Sequence, residues 1–233
     1  IPSISDQKKI GNLLNLLDKK INDNEKLISK IESKSKLIYN YWFNQFEFSN
    51  SKNKPYKSSK GKFVWNEKIK RDIPENWGTK KMHEIIESAK SGDWGKENMD
   101  KNFSEKVTCI RGADINALNG KEILKHQIRY IQKKNSYKFL KKKDIIIEIS
   151  GGSPIQSTGR IAYLTDASLV RFDTPVICSN FCRPITIKDK SLFYYFVYTW
   201  KNLYDSKVFF NYEGQTRGIK NLFVNNGFVF HKI

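Results

Sequence analysis

The sequence predicts an α+β protein: a long coiled-coil-type α-helix followed by a mixed α/β domain with a strongly twisted sheet. Three observations predict it. Apolar residues recur alternately every four and three positions through the first 48 residues. A polar, basic stretch broken by proline and glycine follows at 49–62. Beyond it, short β-branched runs alternate with turn signals and one helix-length aromatic segment. The predicted division is a helix over 1–48, a linker over 49–62 and a second domain over 63–233.

The helix is read from its seam. Ser5 or Asp6 is the predicted N-cap, and no proline interrupts the chain from there to Phe48. Ile10, Leu14, Leu17, Ile21, Asn24, Ile28, Ile31, Ser35, Ile38 and Trp42 follow a 3.5-residue repeat, the spacing of a coiled-coil seam. At 1.5 Å per residue the rod is roughly 60 Å long. No small core covers that length, so the seam must meet another long helix. Asn24 on the seam either fixes register through its amide or lies at a frayed, wet point. Leu13, Leu16, Leu27 and Leu37 widen the apolar stripe.

In the second domain, Ile73-Pro-Glu-Asn-Trp77 is a turn and Lys81–Ile86 a short helical run. Val107–Arg111, Asp144–Ile149, Arg160–Leu164, Val176–Cys178 and Cys182–Ile187 are predicted strands, with a terminal strand over Phe223–Phe230. Ser191–Leu203 places Leu192, Phe193, Phe196, Val197 and Trp200 on one helical face.

Charge is shared unevenly. The whole chain carries 42 Lys and Arg against 24 Asp and Glu, a net +18. Residues 1–48 carry 8 against 6, which leaves 34 against 18 for the rest. The helix is thus nearly neutral, and the second domain carries the cationic excess that suits a nucleic-acid phosphate backbone. A Lys-, Asn- and Ile-rich composition accounts for part of that excess.

The three cysteines, Cys109, Cys178 and Cys182, form no disulfide framework, and a reducing cytoplasm is the expected setting. No signal-peptide pattern is visible, and no stretch nears the ~18 apolar residues of a membrane helix. Catalytic chemistry is set aside. Asp144 and Glu148 lack a companion lysine for a metal-dependent nuclease. Cys178-x-x-x-Cys182 lacks a second zinc pair, and His83, His126 and His231 are scattered. Asn53-Lys-Pro-Tyr56 lacks the first proline of an amino-methyltransferase box. No catalytic residue and no metal site is predicted.

Several segments in order resemble the Type I restriction-modification specificity subunits. Ile1–Ile10, Leu17-Asp-Lys-Lys-Ile21 and the heptad helix resemble the family's conserved spacer. Ile73-Pro-Glu-Asn-Trp77 is similar to the "IPEGW" opening of a target-recognition domain. Lys143–Ile147 with Ser150-Gly-Gly152, then Cys178-Ser-Asn-Phe181 and Gly214–Leu222, resemble later segments of that domain. Family members usually carry two recognition domains and two spacer helices. This chain resembles one repeat unit: a fragment, a C-terminal half or a half-sized subunit.

The resemblance implies a non-catalytic subunit that reads one half of a bipartite duplex DNA target and docks methyltransferase subunits. It implies S-adenosylmethionine, ATP and Mg on partner subunits and none here, and a separate restriction motor-nuclease subunit. A homodimer through the long helix would rebuild a two-domain reader. Base-edge readout calls for Arg, Lys, Asn and Gln on loops. The candidates are Ser153, Gln156, Ser157, Thr158 and Arg160 in a glycine-rich segment that lacks the Gly-Lys-Ser/Thr of a P-loop. Gln215, Thr216, Arg217 and Lys220 form a second group, and Trp94 with Lys96 a third. For Arg160 the alternative is a structural ion pair; for Trp94 it is a cap on the core. Lys133, Lys134, Lys138, Lys141, Lys142 and Lys143 face phosphates or only solvent. Two other functions stay open: the reading module of a Type II enzyme, and a coiled-coil adaptor that binds nucleic acid without sequence preference.

Overall fold

The structure is a computed structural model that describes residues 1–151, 155–216, 219–222 and 229–230, with backbone alone for Gln215, Thr216, Val229 and Phe230. The chain divides into two compact units, Ile1–Tyr56 and Lys57–Ile233.

In the first unit, helix α1 spans Ile4–Tyr39. Its N-cap is Ser3, not Ser5 or Asp6: the Ser3 hydroxyl accepts from the Asp6 N–H at 3.2 Å and so satisfies an orphan donor of the first turn. The helix continues as a π-helical turn over Asn40–Asn44 and stops there, short of Phe48. Phe46 takes a positive φ of 60°, which no helix continues through. The chain then closes a small loop in which the rings of Phe48 and Tyr56 stack at 4.7 Å. Asn50 organises it, its side-chain oxygen accepting from the N–H groups of Lys52 and Lys54. The seam residues Ile10, Leu14, Leu17, Ile21, Ile31 and Ile38 are each at least half exposed, and Asn24 is exposed with them. Among the described residues no helix is long and apolar enough to cross a membrane.

The second unit opens with a hairpin that the sequence pattern conceals, β1 (Phe63–Asn66) against β2 (Arg71–Pro74). Then come β3 (Lys80–Lys81), α2 (Met82–Ile85), β4 (Ile86–Ala89), β5 (Glu105–Ile110), α3 (Ile115–Leu118) and β6 (Gln127–Ile131). β7 (Ile145–Glu148), β8 (Ser150–Gly151), β9 (Ile161–Tyr163), α4 (Asp166–Leu169), β10 (Val176–Cys178) and β11 (Cys182–Ile187) follow. The described chain closes with α5 (Phe193–Asp205), β12 (Glu213–Thr216), β13 (Ile219–Leu222) and β14 (Val229–Phe230). β14 pairs with β3; the rest of the predicted terminal strand, 223–228, lies outside the described residues.

The core is two sheets back to back, with a helix on one outer face. A four-stranded antiparallel sheet runs β4-β11-β7-β9, and a three-stranded sheet runs β10-β5-β6 with β10 parallel to β5. Alternation along β7 sends Ile145 and Ile147 to one face and Ile146 to the other. Ile145 and Ile147, with Ile161, Ile185 and Ile187, bury against Phe193, Phe196, Val197 and Trp200 of α5. Ile146, with Ala162 and Cys182, packs against Ile110, Val176 and Cys178 of the other sheet. A strand covered on both faces must be apolar without interruption, which is why Ile145–Ile147 reads as a solid run.

α5 is locked by its last buried aromatic. Trp200 is fully buried and donates its indole N–H to the Gly159 carbonyl at 2.6 Å. Gly159 has a φ of +102°, and a Cβ there would meet the Phe209 ring at 2.7 Å, so only glycine fits. We expect Trp200→Ala to cost about 3–5 kcal/mol of unfolding free energy. Trp200→Phe should cost less, since it keeps most of the packing and loses the hydrogen bond. Urea denaturation followed by circular dichroism measures both, and a Trp200→Phe variant as stable as the wild type would contradict the role given to the indole N–H.

Candidate nucleic-acid interface

The two glycine-containing candidate segments, 60 residues apart in sequence, meet in one small sheet of order β12-β13-β8. Register pairs Lys220 with Gly151 and Asn221 with Ser150, and on the other side Gln215 with Lys220. The segment after β8 is tied back by side chains. Gln156 Nε2 donates to the Tyr204 hydroxyl at 3.2 Å. Lys220 Nζ donates to the Gln156 carbonyl at 3.4 Å, sits 3.5 Å from Glu213 and lies over the Phe210 ring.

This assembly reassigns several predicted contacts. Ser157 and Thr158 are buried. Thr158 donates both its N–H and, at 2.7 Å, its hydroxyl to the same Glu213 carboxylate oxygen. Arg160 is a strut: its Nε and Nη2 grip the Glu148 carboxylate at 2.8 and 2.7 Å, and Nη2 also donates to the Gly112 carbonyl at 3.0 Å. The ion-pair alternative is therefore the geometry present, and this partner holds the guanidinium pKa above its ordinary value. Glu148 is 5 % exposed, and a Cβ at Gly112 would stand 2.8 Å from Glu148 Oε1 and press on the pair. Ser153 and Arg217 lie outside the described residues; Gln215 and Thr216 are placed by backbone alone, on β12.

The third candidate segment is built differently. Gly92 approaches the Ser179 carbonyl so closely that a Cβ would be 2.0 Å away. Asp93 accepts from the Gly95 N–H at 3.0 Å and from Asn135 Nδ2 at 2.6 Å. Lys138 Nζ donates to the Gly92 carbonyl at 3.0 Å, and Lys96 exchanges two backbone hydrogen bonds with Tyr130. The Trp94 segment is thus stapled to β6 and to the basic turn 133–138. The exposed Lys133, Lys134 and Tyr137 belong to that turn, while Lys138 is spent inside it. Lys142 pairs with Asp166, and Lys143 lies 5.8 Å from the Phe193 ring centroid.

Trp94 is 36 % exposed and does not end in the core. The Arg129 guanidinium lies 4.2 Å from its ring centroid. Arg129 is buried; Nη1 contacts Glu97 Oε1 at 2.8 Å and Nη2 donates to Gln127 Oε1 at 3.3 Å. Its Nε is buried without a partner. Trp94, Lys96, Glu97, Met99, Asp100 and Arg129 line a shallow concavity of about 440 Å³. Lys96 is spent on Asp100 at 2.7 Å and lies over the Phe103 ring. Lys96 and the N–H groups of Phe103 and Asn102 draw the Asp100 carboxyl down to about 2, so it stays ionised. Sequence reasoning missed Arg129. The available signal was rarity: seven Arg against 35 Lys, so an arginine marks a place where a planar fork matters.

The set-aside chemistry has structural counterparts. Asp144 accepts from Thr186 Oγ1 and the Lys141 N–H, both at 2.8 Å, and so closes a turn. Among the described residues no three His, Cys, Asp or Glu side chains gather to hold a metal. Burial pushes the Cys109 and Cys182 thiols up to about 12, and Cys178 upward too.

Removing Arg160 strands a buried carboxylate, so Arg160→Ala is expected to cost about 3–5 kcal/mol of stability. Chemical denaturation tests it; weakened DNA binding at unchanged stability would instead make Arg160 a reader.

Residues 74–222, more than half of the chain, match the family model for the Type I restriction modification DNA specificity domain. No curated protein sequence matches. The solved structures it resembles include the Type-I restriction-modification system S subunit from M. genitalium, at 13 % identity and a TM-score of 0.38 over 68 % of this chain. The HsdS subunit from Thermoanaerobacter tengcongensis is 12 % identical, with a TM-score of 0.38 over 88 % of this chain. The chain spans 34 % and 43 % of those two proteins. By its match over 74–222, the chain belongs to the family of Type I restriction modification DNA specificity domains.

Proposed function

We propose that this chain is the sequence-reading part of a Type I restriction-modification specificity subunit, reads one half of a bipartite DNA target and docks methyltransferase subunits. The observation that carries the reading is a coincidence of position. The family match falls within the unit that holds the cationic excess, and leaves out the nearly neutral helix. Cationic side chains hold the phosphate backbone without regard to sequence, while donors and acceptors on a rigid frame read base edges. The chain contributes no reaction of its own. Methyltransferase subunits would bring S-adenosylmethionine and flip the target adenine, and a restriction motor-nuclease subunit would bring ATP and Mg.

The helix is the ruler in this account. Its exposed seam, from Ile10 to Ile38, has Asn24 at its midpoint. If two copies pair antiparallel about a two-fold axis centred on that seam, Asn24 meets Asn24, where paired amides satisfy one another and any slipped register leaves one unpaired. Such a pair sets two reading units at a fixed separation, as a split target requires.

The test is the host methylome, read base by base with and without this gene. The expected result is loss of one bipartite N6-methyladenine motif on deletion. An unchanged methylome, in a host whose cognate methyltransferase is expressed, would overturn the reading.

A further inference from the structure

We infer that the Arg129–Glu97 pair, seated on Trp94, reads one G·C base pair through the major groove. The inference rests on the DNA-reading function proposed above and names a specificity-determining pair within it. Arg129 is buried, yet its Nε–H has no acceptor. Its partner Glu97 is unlike it: that side chain is 78 % exposed, with Oε1 at 2.8 Å from Arg129 Nη1. A purely structural pair would satisfy the guanidinium from within, as Glu148 and the Gly112 carbonyl do for Arg160. Here a buried guanidinium keeps one donor without an acceptor, beside a concavity that Arg129 and the exposed Glu97 both line.

The concavity suits a base edge better than a phosphate. Its charges cancel, Arg129 and Lys96 against Glu97 and Asp100, and Lys96 is already spent on Asp100. Trp94 and Met99 supply apolar wall. A phosphate would meet two carboxylates there, whereas a neutral base pair meets a matched pattern. G·C presents two acceptors, guanine N7 and O6, beside one donor, the cytosine amino group. Arg129 offers the donors and Glu97 the acceptor. The exposed Glu97 side chain swings toward the cytosine and uncovers the guanidinium fork, which the indole face holds flat. The lateral precision comes from the stapled segment: a Cβ at Gly95 would lie 2.5 Å from the Tyr130 carbonyl, so backbone and β6 are in contact directly above Arg129's strand.

The experiment is selection from a random duplex library by the chain bound to its methyltransferase subunits, for wild type, Glu97→Gln and Arg129→Lys. Wild type is expected to select a motif with a G·C pair at one position that the variants alone disturb. Glu97→Gln should shift that position toward A·T, because a Gln amide matches the adenine edge. Arg129→Lys should lower discrimination there about 10-fold or more, with every other position unchanged. Glu97 is exposed, so its variant folds and decides the matter even if Arg129→Lys does not. Selection of the wild-type motif by Glu97→Gln overturns the inference and leaves the DNA-reading function standing. A wild-type protein that selects no motif overturns both.

Discussion

The burial of β7 on both faces is the constraint from which the second unit is built. Ile145 and Ile147 need a helix above them and Ile146 needs a sheet below, so one strand fixes the positions of α5 and of β5 and β10. The strand ends in Glu148, a charge that the interior tolerates only with a partner. Arg160 supplies it and, through Gly112, ties β9's approach to the turn after β5. Glu213 repeats the device one layer out by taking both donors of Thr158. Thr158 and Arg160 are thus tied to the second unit by buried carboxylates.

The elements legible in the sequence were those whose periodicity is local. Asp144–Ile149 read as an apolar strand, and the spacing of Phe193, Phe196, Val197 and Trp200 as a helix face. The hairpin of β1 and β2 was hidden because β1 is only four residues long and β2 opens on the charged pair Arg71-Asp72 and ends in Pro74. β6 was hidden because its alternation buries an arginine, Arg129, where a hydrophobic residue is expected. Site residues were harder for a related reason. Ser157 and Thr158 look like loop surface, yet both are buried, and Thr158 is held by Glu213, 55 residues further on. Arg160 gave two readings in sequence, and its partner at Glu148 could not be chosen without knowing that β7 and β9 pair.

In the proposed reading, function divides between the units as charge does. The helix offers an apolar seam and almost no net charge, as befits a part that meets another helix. The second unit gathers the cations, while in the concavity at Trp94 the charges of Lys96 and Arg129 face those of Glu97 and Asp100. In the proposed reading, lysine supplies the non-specific attraction, and the Arg129–Glu97 pair supplies the base discrimination.

Equilibrium binding to duplex DNA tests the central claim most directly. Anisotropy titrations at fixed salt would compare a duplex carrying the selected motif with a scrambled one of the same composition, using the chain bound to its methyltransferase. The account predicts tighter binding to the motif by about 10³-fold or more. Equal affinity for the two duplexes would contradict it.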